Sequence, residues 1–109
     1  MASVIRGSDN FDSLVHQGIG VNQTWQDVTA SRTNNVTYTN TTGKPILVSI
    51  LSVGGANCSV EILVNGTRVQ VSTITTSYGM VSVSAIVPNG ATYSNGSTWS
   101  GFSKWMELR

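Results

Sequence analysis

The sequence predicts an all-β domain, a sandwich or barrel of short strands. Three observations carry that expectation. Ser, Thr and Asn make up roughly a third of the 109 residues, and only 10% are charged. Such side chains compete for the hydrogen bonds a helix needs, whereas Thr and Val suit a half-buried pleated surface. From Val21 onward, short strand-like runs are separated by turn residues every 8 to 12 positions or so. Finally, "SVEILVNGTRVQVS", residues 59 to 72, reads as a hairpin. Asn65-Gly66 suits the type I′ turn, which needs positive φ at both central residues.

Residues 1–20 differ from the rest. "GSDNFDS" and "HQGIG" are turn-rich and lack periodicity, so this part is expected to be a lead-in segment, ordered by docking Ile5, Phe11, Leu14 and Val15. Residues 21–109 form the β-domain. "TWQDVT" is its first strand. Trp25 is expected to cap the core there, so that Trp25→Ala lowers the melting temperature sharply, and Asp27 to satisfy a nearby turn or strand end. "NVTYTNT" follows, with Val36, Tyr38 and Asn40 on one face, and Gly43-Lys44-Pro45 turns the chain. "ILVSILSV" is the most continuously apolar stretch, which predicts a central strand covered on both faces. "GGANC" is a turn. In the hairpin, pairing Val64 with Thr67, Ile62 with Val69 and Val60 with Val71 puts all six on one face. Thr73 to Gly79 reads as a loop. "MVSVSAIV" alternates, with Val81, Val83, Ala85 and Val87 inward. Pro88-Asn89-Gly90 turns into another strand. In the final strand Phe102, Met106 and Leu108 share one face, and Trp99, Trp105 and Glu107 the other. Bulky residues on both faces leave room for a neighbouring subunit as the second cover.

Chemistry is sparsely signalled. The net charge is +1 with no basic stripe, which argues against nucleic acid. No apolar run approaches the ~20 residues of a membrane span, and the start has no secretory h-region. Cys58 is the sole cysteine and His16 the sole histidine. This excludes an internal disulfide or a Cys-based zinc site, and leaves any Ser-His-Asp or Cys-His arrangement dependent on one residue. Cys58 reads as a partly buried loop thiol with no neighbouring base. Asp9 and Asp12 lack the further ligands of a calcium loop. Asp27, Glu61 and Glu107 form no recognisable pair for glycoside hydrolysis. No catalytic residue, metal or cofactor is therefore expected. Asn22, Asn35, Asn40, Asn57, Asn65 and Asn95 match the glycosylation triplet, as chance predicts in a chain rich in Asn, Ser and Thr. Most aromatic side chains read as core. Tyr78 and Trp99 are the candidate stacking platforms for a hydroxyl-rich ligand, with Asn95 in the adjacent "SNGS" as a polar partner.

"GVNQTWQDVTASR", "YTNTTGKPILVSI", "VNG", "VSAIVPNGATYS" and the closing "WMELR" together resemble the C-terminal domain of tailed-bacteriophage and prophage tail-fibre proteins. The resemblance covers residues 18 to 109 or so; its most specific parts are "TWQDVTASR" followed by "YTNTTGKPI", and "IVPNGATYS" before "ELR". It implies a small antiparallel, jelly-roll-like β-sandwich that ends a homotrimeric fibre. It also implies a place in the virion tail after synthesis in the host cytoplasm, contact with other tail proteins, and a non-catalytic tip that binds a bacterial surface glycan or protein. The alternative is a trimerisation cap or minor virion protein with no receptor. The family carries a stalk or attachment domain upstream, whereas about 20 residues precede the matching stretch here, leaving open an excised domain or a short stand-alone protein.

Overall fold

The computed structural model describes residues 18–75, 77–96 and 102–109. The proposed docking residues Ile5, Phe11, Leu14 and Val15 lie outside them, as do Asp9, Asp12, His16 and Trp99. The strands are β1 (Trp25–Asp27), β2 (Tyr38–Thr39), β3 (Ile46–Gly55), β4 (Ser59–Val64), β5 (Thr67–Thr73), β6 (Tyr78–Val87), β7 (Thr92–Asn95) and β8 (Lys104–Leu108). The one helical element among the described residues is a 3-10 turn at Thr29–Ser31.

Two four-stranded antiparallel sheets result, ordered β1-β8-β3-β6 and β2-β7-β4-β5. This is the strand order of a jelly roll. Its logic is a single long hairpin, rolled up. β4 pairs with β5, β3 with β6, β2 with β7 and β1 with β8, each pair enclosing the one before. Asn65-Gly66 is the tip of that hairpin, and both residues take positive φ, 53° and 79°.

The core lies between the sheets. β3 gives Ile46, Val48 and Ile50, β4 gives Val60 and Ile62, and β6 gives Val83 and Val87. Val81 and Ala85 pack beside them, so the inward phase of β6 is the expected one. The largest buried side chains, Trp105 and Tyr93, meet from opposite sheets with ring centroids 6.3 Å apart. Phe102 packs edge-on to Trp105 at 5.0 Å, rather than sharing a face with Met106 and Leu108.

Several expectations are corrected. Trp25 does not cap the core; it is 50% exposed. It lies on a three-residue edge strand opposite Leu108, in the strand phase that points away from the core. In the hairpin the register holds for Val64–Thr67 and Leu63–Arg68, then shifts at a bulge. Val69 is the extra residue, Ile62 faces Gln70 and Glu61 faces Val71, so Val69 and Val71 are exposed. The new phase turns Gln70 and Ser72 toward β6. Gln70 Oε1 accepts from the Ser84 backbone N–H at 2.6 Å, and Ser72 Oγ donates to the Ser82 carbonyl at 3.1 Å. Polar side chains thus satisfy the edge of β6, and the valines give way. β3 is buried on one face and only half-buried on the other. Val36 is exposed, because it closes a turn onto the Thr33 carbonyl before β2 begins. The expected loop is shorter, since β5 runs to Thr73 and β6 starts at Tyr78, and Ile74 is buried. Cys58 is wholly buried, not partly, beside Ser52 Oγ at 3.8 Å.

Asparagines of the glycosylation triplets have architectural roles. Asn22, Asn35, Asn57 and Asn65 hold positive φ, a conformation that Asn tolerates better than most residues. Asn40 is buried and braces the following turn, donating to the Lys44 and Val87 carbonyls and accepting from Thr42.

Candidate functional site

The densest polar cluster is a buried carboxylate. β8 alternates, so Trp105 and Glu107 both point inward and Glu107 is fully buried. A lone buried carboxylate is costly unless paired and hydrogen-bonded. Here it receives five hydrogen bonds. Arg32 gives two, at 3.0 and 3.1 Å, and Arg109 gives one at 2.9 Å. Tyr93 OH donates at 2.9 Å and Trp105 Nε1 at 3.0 Å. Arg32 also lies over the Tyr38 ring, 4.6 Å from its centroid, and Tyr38 OH accepts from the Thr33 N–H at 2.8 Å.

The electrostatics follow the geometry. Burial pulls the Arg32 guanidinium down, but its bonds and attraction to Glu107 outweigh this and hold it above its ordinary value. Burial first, and the Glu107 charge second, push the Tyr93 hydroxyl up, so it stays a donor. The cluster joins the segment after the 3-10 turn, β2, β7 and β8. Its donors converge on one acceptor group.

Asp27 works at the sheet edge. It accepts from the Thr29 hydroxyl at 2.6 Å and the Thr29 N–H at 3.0 Å, opening the 3-10 turn, and it pairs with Lys104 at 3.1 Å. The Thr29 hydroxyl, the Thr29 N–H and Lys104, in that order, hold its pKa at about 2, against 3.8 for a free carboxyl. A carboxyl depressed in the fold stabilises above its unfolded value and loses that contribution as pH falls through its folded one. We expect the melting-temperature advantage of wild type over Asp27→Asn to be full above pH 4 and to shrink between pH 4 and 2. A difference independent of pH across that window would refute this role. Glu61 pairs with Arg68 at 3.2 Å. Every carboxylate among the described residues is therefore in an ion pair with a basic side chain. Among those residues no three His, Cys, Asp or Glu converge as metal ligands, and no pocket is found among them.

Of the proposed contact residues, Tyr78 and Asn95 lie in different sheets. Tyr78 is 69% exposed at the start of β6. Asn95 is fully buried on β7, with its side chain donating to Asn34 Oδ1 at 2.9 Å. Trp99 lies outside the described residues. Sequence reasoning missed Met80, which is 68% exposed two residues from Tyr78. Its signal was present in the alternation of β6, where Tyr78 and Met80 share the outward phase. The β3–β6 pair runs four rows past Leu51–Lys104, the last row that β3 shares with β8, ending at Gly55–Tyr78. Tyr78 and Met80 stand on this projecting ribbon.

No family model matches the chain, and neither does any curated protein or solved structure.

Proposed function

We propose that this domain is a non-catalytic binding module, the tip of a bacteriophage tail fibre. It would act in the virion as a homotrimer beside other tail proteins, and contact a bacterial surface glycan or protein during host attachment. The motif resemblance from "TWQDVTASR" to "WMELR" supports that assignment. The observation that carries it is the projecting β3–β6 ribbon, with Tyr78 and Met80 exposed together at its end. An aromatic and a thioether side chain offer contact area without charge, which suits a sugar face or an apolar protein patch. The pairing of the described carboxylates favours binding over hydrolysis. The fold alone decides neither, since one architecture hosts many functions.

The test is binding of fluorescently labelled protein to a panel of bacterial cells. We expect saturable binding to some strains, weakened at least tenfold in Tyr78→Ala/Met80→Ala with melting temperature unchanged. Undiminished binding by that variant would move the contact site elsewhere. No binding to any strain would favour the second reading, a structural cap of the fibre. The observation on that side is the apolar row Trp25, Leu108, Leu47 and Ile86 across the outer face of the first sheet.

A further inference from the structure

Three Asn-Gly steps lie within the described residues: Asn65-Gly66, Asn89-Gly90 and Asn95-Gly96. Each is a latent reaction. Glycine has no Cβ to shield its backbone nitrogen, so that nitrogen can attack the carboxamide carbon of the asparagine before it. The attack needs a glycine N–H that solvent can deprotonate, a carboxamide free to turn, and room for a five-membered ring. The fold grants these to the three steps unequally.

Asn95 is fully buried, and the Gly96 N–H donates to the Glu61 carbonyl at 3.1 Å. The space there is closed, since a Cβ built on Gly96 would lie 2.6 Å from Glu61 Oε1. Asn89 is exposed, but both of its reacting groups are engaged. The Gly90 N–H donates to the Asn40 carbonyl at 2.8 Å, and Asn89 Oδ1 accepts from the Gly43 N–H at 3.0 Å. Asn65 and Gly66 are exposed at the tip of the rolled hairpin. The Gly66 N–H has no acceptor among the described residues, and a Cβ built on Gly66 would meet nothing within 4 Å. The Asn65 carboxamide is held by its oxygen, which accepts from the Thr92 N–H at 3.0 Å. Releasing that exposed bond opens a loop tip and leaves both sheets paired, the cheapest kind of local opening.

We propose that Asn65 is a site of spontaneous deamidation and isoaspartate formation in the folded domain, and that the fold protects Asn89 and Asn95. This does not depend on the proposed function. Solvent hydroxide takes the Gly66 N–H proton. The nitrogen bonds to Asn65 Cγ, the Cγ–Nδ2 bond breaks, and Nδ2 takes a proton from water and leaves as ammonia. Water then opens the succinimide. Attack at Cγ gives aspartate, and attack at the Asn65 backbone carbonyl carbon gives isoaspartate, in which the main chain runs through the side-chain carbon. Either product exchanges a neutral amide for a carboxylate, so the net charge falls from +1 to 0. Isoaspartate also adds a backbone carbon to a two-residue turn whose length sets the pairing of β4 with β5. The same turn is tied to β7 by the Asn65 N–H, which donates to the Thr92 carbonyl at 2.9 Å. This product therefore loosens the innermost hairpin.

The test is incubation of the purified protein at mildly alkaline pH, below its melting temperature, with peptide mass spectrometry and enzymatic methylation of isoaspartate as the readouts. A parallel sample in denaturant gives the reactivity of the three steps without the fold. In the folded protein, conversion at Asn65 should be at least tenfold faster than at Asn89 or Asn95. In denaturant the three rates should draw together. Asn65→Gly keeps a residue suited to positive φ and removes the carboxamide. With its circular dichroism spectrum unchanged, this variant should lose at least two-thirds of the isoaspartate signal of the folded protein. The proposal is overturned if Asn89 or Asn95 converts as fast as Asn65 in the folded protein. It is overturned equally if Asn65 leads by the same factor in denaturant, or if Asn65→Gly keeps the wild-type signal.

Discussion

Glu107→Ala should lower the melting temperature by at least ~12 °C, the largest loss expected from any single substitution in the described domain. Removing one partner of a buried ion pair costs about 3–5 kcal/mol, and each kcal/mol moves the transition of a domain this size by roughly 4–8 °C. The reason is what Glu107 leaves behind. Arg32 keeps its charge in a largely buried position, and Tyr93 OH and Trp105 Nε1 lose their shared acceptor oxygen Oε2. Such orphaned groups carry the full cost of desolvation. Glu107→Gln separates charge from shape, since the amide keeps one acceptor oxygen but offers donors toward two guanidinium groups. It should fall between Ala and wild type. Thermal unfolding followed by circular dichroism is the measurement, and a Glu107→Ala transition within a few degrees of wild type would show that the cluster contributes little.

Trp105→Ala should cost almost as much, about 3–5 kcal/mol, because the emptied volume lies between both sheets and cannot fully collapse. Trp105 touches Tyr38, Tyr93 and Phe102 at centroid distances of 6.0, 6.3 and 5.0 Å, and its indole N–H is one of the Glu107 donors. Trp25→Ala is the control. In dilute solution, where association does not contribute, it should change stability by less than ~1 kcal/mol, as for an exposed edge position. If Trp25→Ala proved the more damaging, the assignment of which tryptophan anchors the core would be reversed.

That contrast shows how the chain can and cannot be read. "TWQDVT" and "KWMELR" look alike locally, each with a tryptophan near an acidic residue. In the structure Trp25 and Asp27 share the outward phase of an edge strand, while Trp105 and Glu107 share the inward phase of an interior one. Period-two alternation says which residues share a face; it does not say which face is inside. Glu107 shows the same limit. Its partners Arg32 and Tyr93 lie 75 and 14 residues away, and no spacing rule connects them. Tyr78 was legible as an exposed aromatic, because turn residues precede it. Asn95 was not legible as buried, since "SNGS" carries every mark of an open loop. Its burial comes from sharing the inward phase of β7 with Tyr93, opposite Ile62 of β4.

What the sequence determined by itself was therefore local. Composition excluded long helices, the Asn65-Gly66 turn set the tip of the rolled hairpin, and the alternation of β6 sorted its inward residues correctly. These depend on neighbours within a few positions, where turn sterics and side-chain phase act. The bulge at Val69, the burial of Cys58 and Glu107, and the exposure of Trp25 were decided by tertiary structure. They follow from contacts made only once the sheets close: Gln70 against the edge of β6, β8 inserted between β1 and β3, and the distant Arg32 brought to the Glu107 carboxylate. Local pattern could not anticipate them, because the free energy of burying a charge or a strand edge depends on the partner that arrives there.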